Sequence, residues 1–183
     1  MFSIPNLLTA GRIVLTPWIG WALARSDYKV AFWLLLIAGL SDGIDGFIAR
    51  RFHQQSKLGA YLDPIADKLL LTTVYAGLGW SGAAPVWLVW LVIGRDVLIL
   101  SFAMCALLLT RLRDFPPSVW GKISTFFQLT YAGAAILSGL TAWPWTRALA
   151  AVLLSGTAAA TAWSGFDYLL IAYRRLRAAS TGP

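Results

Sequence analysis

A chain of 183 residues with 58% hydrophobic but only 13% charged side chains, and a mean hydropathy of +0.69, cannot cover itself with polar surface in water, since an average soluble protein carries roughly 25% charge. The net charge of +7 collects in short segments between apolar runs and in the C-terminal tail, with no basic helical face or stacking platform, which argues against nucleic acid as a partner. The lone Cys105 excludes an internal disulfide, so the lipid bilayer is the expected solvent.

In chain order, six runs approach the length of about 20 apolar residues that a spanning helix needs: 7–24, 30–50, 58–80, 84–110, 122–142 and 144–173. The first lacks a charged leader and an early small-residue cleavage site, so it is expected to stay in the protein. The second and third are interrupted by Asp, Gly and Arg. Long uniform runs rather than alternating ones point to helices and not a closed barrel. The connections are short, at 25–29, 53–57, 81–83 and 111–121 and at the Trp143-Pro144 turn. No repeat or soluble appendage interrupts them. The expectation is an all-α, polytopic membrane protein of six transmembrane helices, with residues 1–183 as one domain.

Arg12, Arg50, Arg51, Lys57, Arg111, Arg113, Lys122, Arg174, Arg175 and Arg177 fall on one side of this arrangement, and Arg25, Lys29 and Arg147 on the other. Short loops rich in Lys and Arg stay inside, so both termini and the 50–57 loop are expected in the cytoplasm. Trp80, Trp87, Trp143 and Trp145 flank the turns on the far side, as an interfacial aromatic belt does.

The chain has no glutamate, and six of its eight aspartates lie inside or at the end of apolar runs. Ionisable groups in membrane spans cost roughly 2.5–3.5 kcal/mol each on insertion scales and therefore mark function. Along a helix, Asp42, Asp45, Gly46 and Ala49 share one face with Arg50 alongside, and Gly59, Asp63 and Asp67 form another stripe. A short loop makes the two helices antiparallel neighbours, so their stripes can face each other. Carboxylates gathered in an apolar cavity repel unless a hard divalent cation such as Mg²⁺ or Mn²⁺ binds them. Two such ions would clamp both oxygens of an in-line phosphoryl displacement. The glycines leave room for a nucleotide, and Arg50 offers a fork to a phosphate. A single aspartate near a helix start is ordinarily a cap and a single glycine a packing contact. Packing alone leaves this combined spacing unexplained.

The run from Asp42 to Asp67 resembles the signature of the CDP-alcohol phosphatidyltransferase family, D-x2-D-G-x2-A-R-x8-G-x3-D-x3-D, at every fixed position. The resemblance implies transfer of a phosphatidyl group from CDP-diacylglycerol to an alcohol, with release of CMP. It implies Asp42, Asp45, Asp63 and Asp67 as ligands of two divalent metal ions, with Asp67 also the general base. Gly46, Ala49, Arg50 and Gly59 would line the CDP pocket. A homodimer is implied on the same footing, while loop charge puts the site near the cytoplasmic face of what is expected to be a bacterial-type plasma membrane.

The N-terminal run Ile4-Pro5-Asn6-Leu7-Leu8-Thr9, with Arg12 and Pro17, resembles two subgroups, whose acceptors are phosphatidylglycerol and glycerol 3-phosphate. Arg95-Asp96 is closer to the first, which makes cardiolipin, so phosphatidylglycerol is the expected acceptor and glycerol 3-phosphate the alternative. Arg95 and Lys122 are the candidate acceptor-binding cations. Against these roles, Arg95-Asp96 could be a buried ion pair that fixes helix register, and Lys122 an interfacial anchor. A small cation transporter is the rival class, since intramembrane acids also serve ion pathways. It would need an internal repeat with broken helices in both halves, whereas the motif aspartates cluster in one half, in the second and third runs.

Overall fold

The computed structural model describes the backbone of residues 4–52, 57–109, 118–141 and 143–180, and the side chains of residues 9–41, 62–102, 104, 118–141 and 143–174. Every regular element among them is a helix: α1 (Ile4–Ala24), α2 (Tyr28–Phe52), α3 (Lys57–Trp80), α4 (Val86–Leu109), α5 (Val119–Leu140) and α6 (Pro144–Ser180). Each of the six expected runs corresponds to one helix. The last extends beyond 173 because the residues that follow, Arg, Leu and Ala among them, are strong helix formers.

Local chemistry sets the ends. Asp27 starts α2 by accepting the Val30 N–H at 3.1 Å, and Ser118 starts α5 by accepting the Gly121 N–H at 3.0 Å. Both are side-chain caps of otherwise unmatched first-turn donors. Pro144 opens α6, where its missing N–H is no loss. The α3–α4 turn closes through Gly82 at φ +74°, a left-handed conformation open to glycine without steric cost.

Contacts between helices fix their directions. Thr9 meets Asp63 and Arg12 meets Asp67, offsets of 54 and 55 residues. Further along, the Gly20 position lies against Thr73 and the Gly77 position against Leu23. A constant offset means that α1 and α3 run parallel. Their approach is close: a Cβ on Gly77 would meet that of Leu23 at 2.7 Å, the kind of contact small residues allow between membrane helices. In α5 and α6, Ser124 meets Thr161 while Thr157 bonds to Phe127 O, so these two are antiparallel. Gly139 against Tyr28 and Gly133 facing Gly39 make α2 and α5 antiparallel as well.

The resulting up-and-down bundle has a division of labour along its axis. The apolar core, including Ile19, Leu23, Val74, Tyr75, Leu78, Leu88, Val92 and Ile136, occupies the end where α1, α3 and α5 finish. The other end, where those helices begin, holds the buried polar residues Thr9, Arg12, Arg95 and Asp96. Outward, large apolar side chains are exposed on every helix, among them Trp18, Leu40, Ile65, Trp90, Phe126 and Val152. Among the described residues, α5 and, within α6, Pro144–Arg174 are long and apolar enough to cross a membrane, with mean hydropathies of 1.3 and 1.4.

Candidate active site

Two polar residues of α1 organise the start of α3. Thr9, fully buried, donates its hydroxyl to Asp63 Oδ1 at 2.5 Å, and Arg12, 1% exposed, donates from Nη1 to Asp67 Oδ1. Thr9 and Arg12 are three residues apart and Asp63 and Asp67 four, so each pair occupies one helix face. The parallel register of α1 and α3 then brings the two faces together. Thr16 continues the stripe by donating to Arg12 O at 2.8 Å.

Asp67 nevertheless keeps 56% of its side chain exposed. It opens, with Arg12, onto a central cavity of about 310 Å³ walled by Leu35, Ala38 and Gly39 of α2 and by Thr125 and Leu129 of α5. The second and third helices therefore face each other across a space, and α1 packs on both of them. Ala38 stands one helical turn before Asp42 on α2. Asp42, Asp45, Gly46, Ala49 and Arg50 belong to the last turns of α2, and Gly59 to the first turn of α3. The side chains at those positions lie outside the described residues.

The described half of the expected metal set suits a hard cation in kind. Both donors are carboxylates, and each is oriented by a hydrogen bond from a neighbouring helix, the outer support that ligating carboxylates ordinarily have. Among the described residues no group of three or more His, Cys, Asp or Glu stands together.

A second cavity, of about 490 Å³, lies on the far side of Thr125 and Leu129, which line both spaces. Its cations are Lys68, Arg95 and Lys122, so the two cations expected to bind the acceptor share one cavity. Asp96, buried, receives Lys68 Nζ and Arg95 Nη1, each at 2.7 Å. The Arg95 guanidinium also donates from Nε and Nη2 to Ser164 Oγ, at 3.2 and 2.7 Å, and lies 5.8 Å from the Tyr168 ring centre. Three cations against one carboxylate leave two formal positive charges around this space.

Sequence reasoning missed the roles of Thr9, Lys68, Ser164 and Tyr168, and took Arg12 only as a loop-side charge and part of a family-like run. The signal for Thr9 and Arg12 was present: a hydroxyl and a guanidinium on one face of an apolar helix need a buried polar partner. Lys68 had its place beside Asp67. Ser164 and Tyr168 gave no such signal, because their partner lies on α4.

The description of the CDP-alcohol phosphatidyltransferase family matches residues 2–163. The chain is 38% identical over 137 residues to a probable CMP-forming cardiolipin synthase of Drosophila melanogaster, covering 74% of this chain and 41% of that protein. It is 34% identical over 165 residues to a CMP-forming cardiolipin synthase of Streptomyces coelicolor, covering 83% and 72%. It is 33% identical over 152 residues to the chloroplastic CDP-diacylglycerol–glycerol-3-phosphate 3-phosphatidyltransferase 1 of Oryza sativa subsp. japonica, covering 74% and 46%. The chain spans about two-fifths of the length of the animal relatives it matches.

Proposed function

Because the chain belongs to the CDP-alcohol phosphatidyltransferase family, we propose that it is a membrane-embedded enzyme that moves the phosphatidyl group of CDP-diacylglycerol to phosphatidylglycerol, forming cardiolipin and CMP. The observation that carries this reading is the central cavity, where Asp67 is exposed on one wall and α2, one turn before Asp42, forms another.

Asp42, Asp45, Asp63 and Asp67 would hold two Mg²⁺ or Mn²⁺ ions, which when bound would offset the charge of the donor diphosphate. Thr9 and Arg12 fix the orientation of the α3 carboxylates. Gly46, Ala49, Arg50 and Gly59 receive the CDP moiety. Asp67 takes the proton of the acceptor hydroxyl. The acceptor oxygen then bonds to the phosphatidyl phosphorus as the bond from that phosphorus to the CMP oxygen breaks, and CMP leaves. Arg95 and Lys122, with Lys68, attract the phosphate of the acceptor from the neighbouring cavity.

Glycerol 3-phosphate is the second reading, favoured by the two formal positive charges around the Lys68–Arg95–Lys122 cavity, which balance a phosphomonoester dianion where a phosphodiester carries a single charge. Six spans with both termini and the site end on the cytoplasmic side of a bacterial-type plasma membrane, and assembly as a homodimer, belong to the same proposal. Loop charge supports the orientation, and family likeness supports the dimer.

The test is to give the purified protein CDP-diacylglycerol with each alcohol separately and identify the lipid formed. Cardiolipin from phosphatidylglycerol is expected. Conversion of glycerol 3-phosphate alone would replace the acceptor, and CMP release with neither would sink both choices. Cation flux into liposomes containing the protein but no lipid substrate would favour the transporter.

A further inference from the structure

One face of α6 carries a row of hydroxyls. Thr157, Thr161, Ser164 and Tyr168 follow one another at intervals of four, three and four residues, a spacing that keeps them on a single stripe. The first three are fully buried. Thr157 donates to Phe127 O at 3.0 Å, and Thr161 Oγ1 accepts from Gln128 Nε2 at 3.1 Å and from Ser124 Oγ at 3.3 Å. These bonds join α6 to α5 through neutral groups, the ordinary way in which hydroxyls hold membrane helices together. Ser164 departs from that pattern. Its partner is a charge on α4.

Arg95 is buried, and an arginine has five N–H donors to place. One from Nη1 goes to Asp96, and one each from Nε and Nη2 go to Ser164 Oγ. Nε and Nη2 form an edge with which a guanidinium can grip a phosphate or carboxylate in two parallel bonds. Here a neutral hydroxyl occupies that edge. The donors left over, one on Nη1 and one on Nη2, have no acceptor among the described residues. Nη2 lies 3.2 Å from where a Cβ on Gly121 would stand, and Gly121 and Arg95 both line the cavity of Lys68 and Lys122. Among the described residues, neither Ser164 nor Asp96 lines that cavity, so both hold the guanidinium from behind. Tyr168 closes one side, with its ring beneath the guanidinium and its oxygen tied to α5 by the Ser118 N–H at 3.2 Å.

We propose that Ser164 is a positioning residue for the acceptor: by taking the Nε–Nη2 edge of Arg95, it turns the terminal nitrogens toward the acceptor phosphate without cancelling the charge. The assignment rests on the reading of Arg95 as an acceptor-binding cation. Asp96 alone does not fix the guanidinium, because the same carboxylate oxygen also receives Lys68. Ser164 bonds to Arg95 and to nothing else among the described residues. Its loss therefore frees the guanidinium while the Lys68–Asp96 pair stays. The neutrality of the hydroxyl matters as much as its place. A carboxylate at position 164 would hold the same edge but remove one of the two formal positive charges around the cavity.

Ser164→Ala removes the accepting oxygen, and Ser164→Thr keeps it. CMP release is measured while phosphatidylglycerol is titrated at saturating CDP-diacylglycerol, then while the donor is titrated at saturating acceptor. Glycerol 3-phosphate replaces phosphatidylglycerol in a parallel series. The Ala variant should raise the KM of whichever alcohol the unsubstituted protein converts by about tenfold, the scale of a lost bond to a charged group. The CDP-diacylglycerol KM should not move, and the Thr variant should restore the acceptor KM. A loss confined to kcat, or equal rises in both KM values, would assign Ser164 to packing and overturn the proposal. Arg95→Gln, which leaves the Lys68–Asp96 pair in place, supplies a second measurement that does not need the Thr variant to fold. On that background Ser164→Ala should add nothing to the acceptor KM, whereas additive effects would mean that Ser164 does not act through Arg95. An acceptor KM unchanged by Arg95→Gln alone would sink the acceptor role of Arg95 itself. An effect of Arg95→Gln with none from Ser164→Ala would sink only the positioning role.

Discussion

Arg12 is the largest of the fully buried side chains among the described residues, and it lies in an otherwise apolar helix. Its partner Asp67 is more than half exposed, so the guanidinium is held and the carboxylate faces the cavity. Such an arrangement orients a reacting group more than it stabilises the fold. Substituting Asp67 by Asn leaves an oxygen that can still accept from Arg12 while removing the proton acceptor and a charged ligand. Asp67→Asn is therefore expected to abolish CMP release, by at least the 10²–10⁴-fold typical of a general base, with little change in thermal unfolding in detergent. Near-full activity would exclude Asp67 as the base. Thr9 acts on Asp63 by a single hydroxyl. Thr9→Val keeps the volume and loses the donor, whereas Thr9→Ser keeps it. Outer hydrogen bonds to metal-binding carboxylates are worth about 10–100-fold in metal affinity or activity. The Val variant should accordingly need more Mg²⁺ for half-maximal rate, and the Ser variant should restore the unsubstituted requirement. A rate loss insensitive to Mg²⁺ concentration would assign Thr9 to packing.

At the scale of helices, α1 and α3 are locked where glycine is unavoidable. Gly77 would bring a Cβ to 2.7 Å from the Leu23 Cβ, and Gly20 would bring one to 2.6 Å from Thr73 Cγ2. Neither neighbour is the far end of a flexible chain. Gly77→Val should cost about 1–3 kcal/mol, as overpacked cores do, read as a lower unfolding midpoint in detergent. It should also lower activity, because the register that aligns Thr9 with Asp63 and Arg12 with Asp67 is the same register. A stable variant with unchanged activity would separate the two ends of the helix pair. That register marks the boundary of what was legible beforehand. The six helices followed from long apolar runs, and the shared face of Asp63 and Asp67 from their i, i+4 spacing. The sequence reading expected α2 and α3 to be antiparallel neighbours with their stripes facing each other; among the described residues α1 packs on both and a cavity stands between them. Nothing local in α2 or α3 records a helix that begins more than fifty residues before Asp63. The bond from Arg95 to Ser164 spans 69 residues and was illegible for the same reason: Ser164 alone reads as an ordinary polar residue in an apolar run.

Taken whole, the molecule has its proposed site at one end and its aromatic weight at the other. Trp21, Trp80, Trp87, Trp143 and Trp145 are all at least half exposed around the end opposite Asp67, where indole rings suit a membrane–water interface. Lys68, Arg95 and Lys122 gather toward the Asp67 end, and each cation near an anionic leaflet is worth about 1 kcal/mol. Aromatic placement, with the loop charge read from the sequence, supports the proposed orientation with the Asp67 end inside. Ser26, exposed in the α1–α2 turn, and Val119, 70% exposed at the start of α5, mark the two ends. With Cys105→Ser as background, Ser26→Cys should react with a membrane-impermeant maleimide in intact cells. Val119→Cys should react only after permeabilisation. The opposite pattern would invert the protein and move the proposed site away from cytoplasmic nucleotide-activated lipid. Reaction of both from outside would be incompatible with a bundle that spans the bilayer between its Trp-rich end and its Asp67 end.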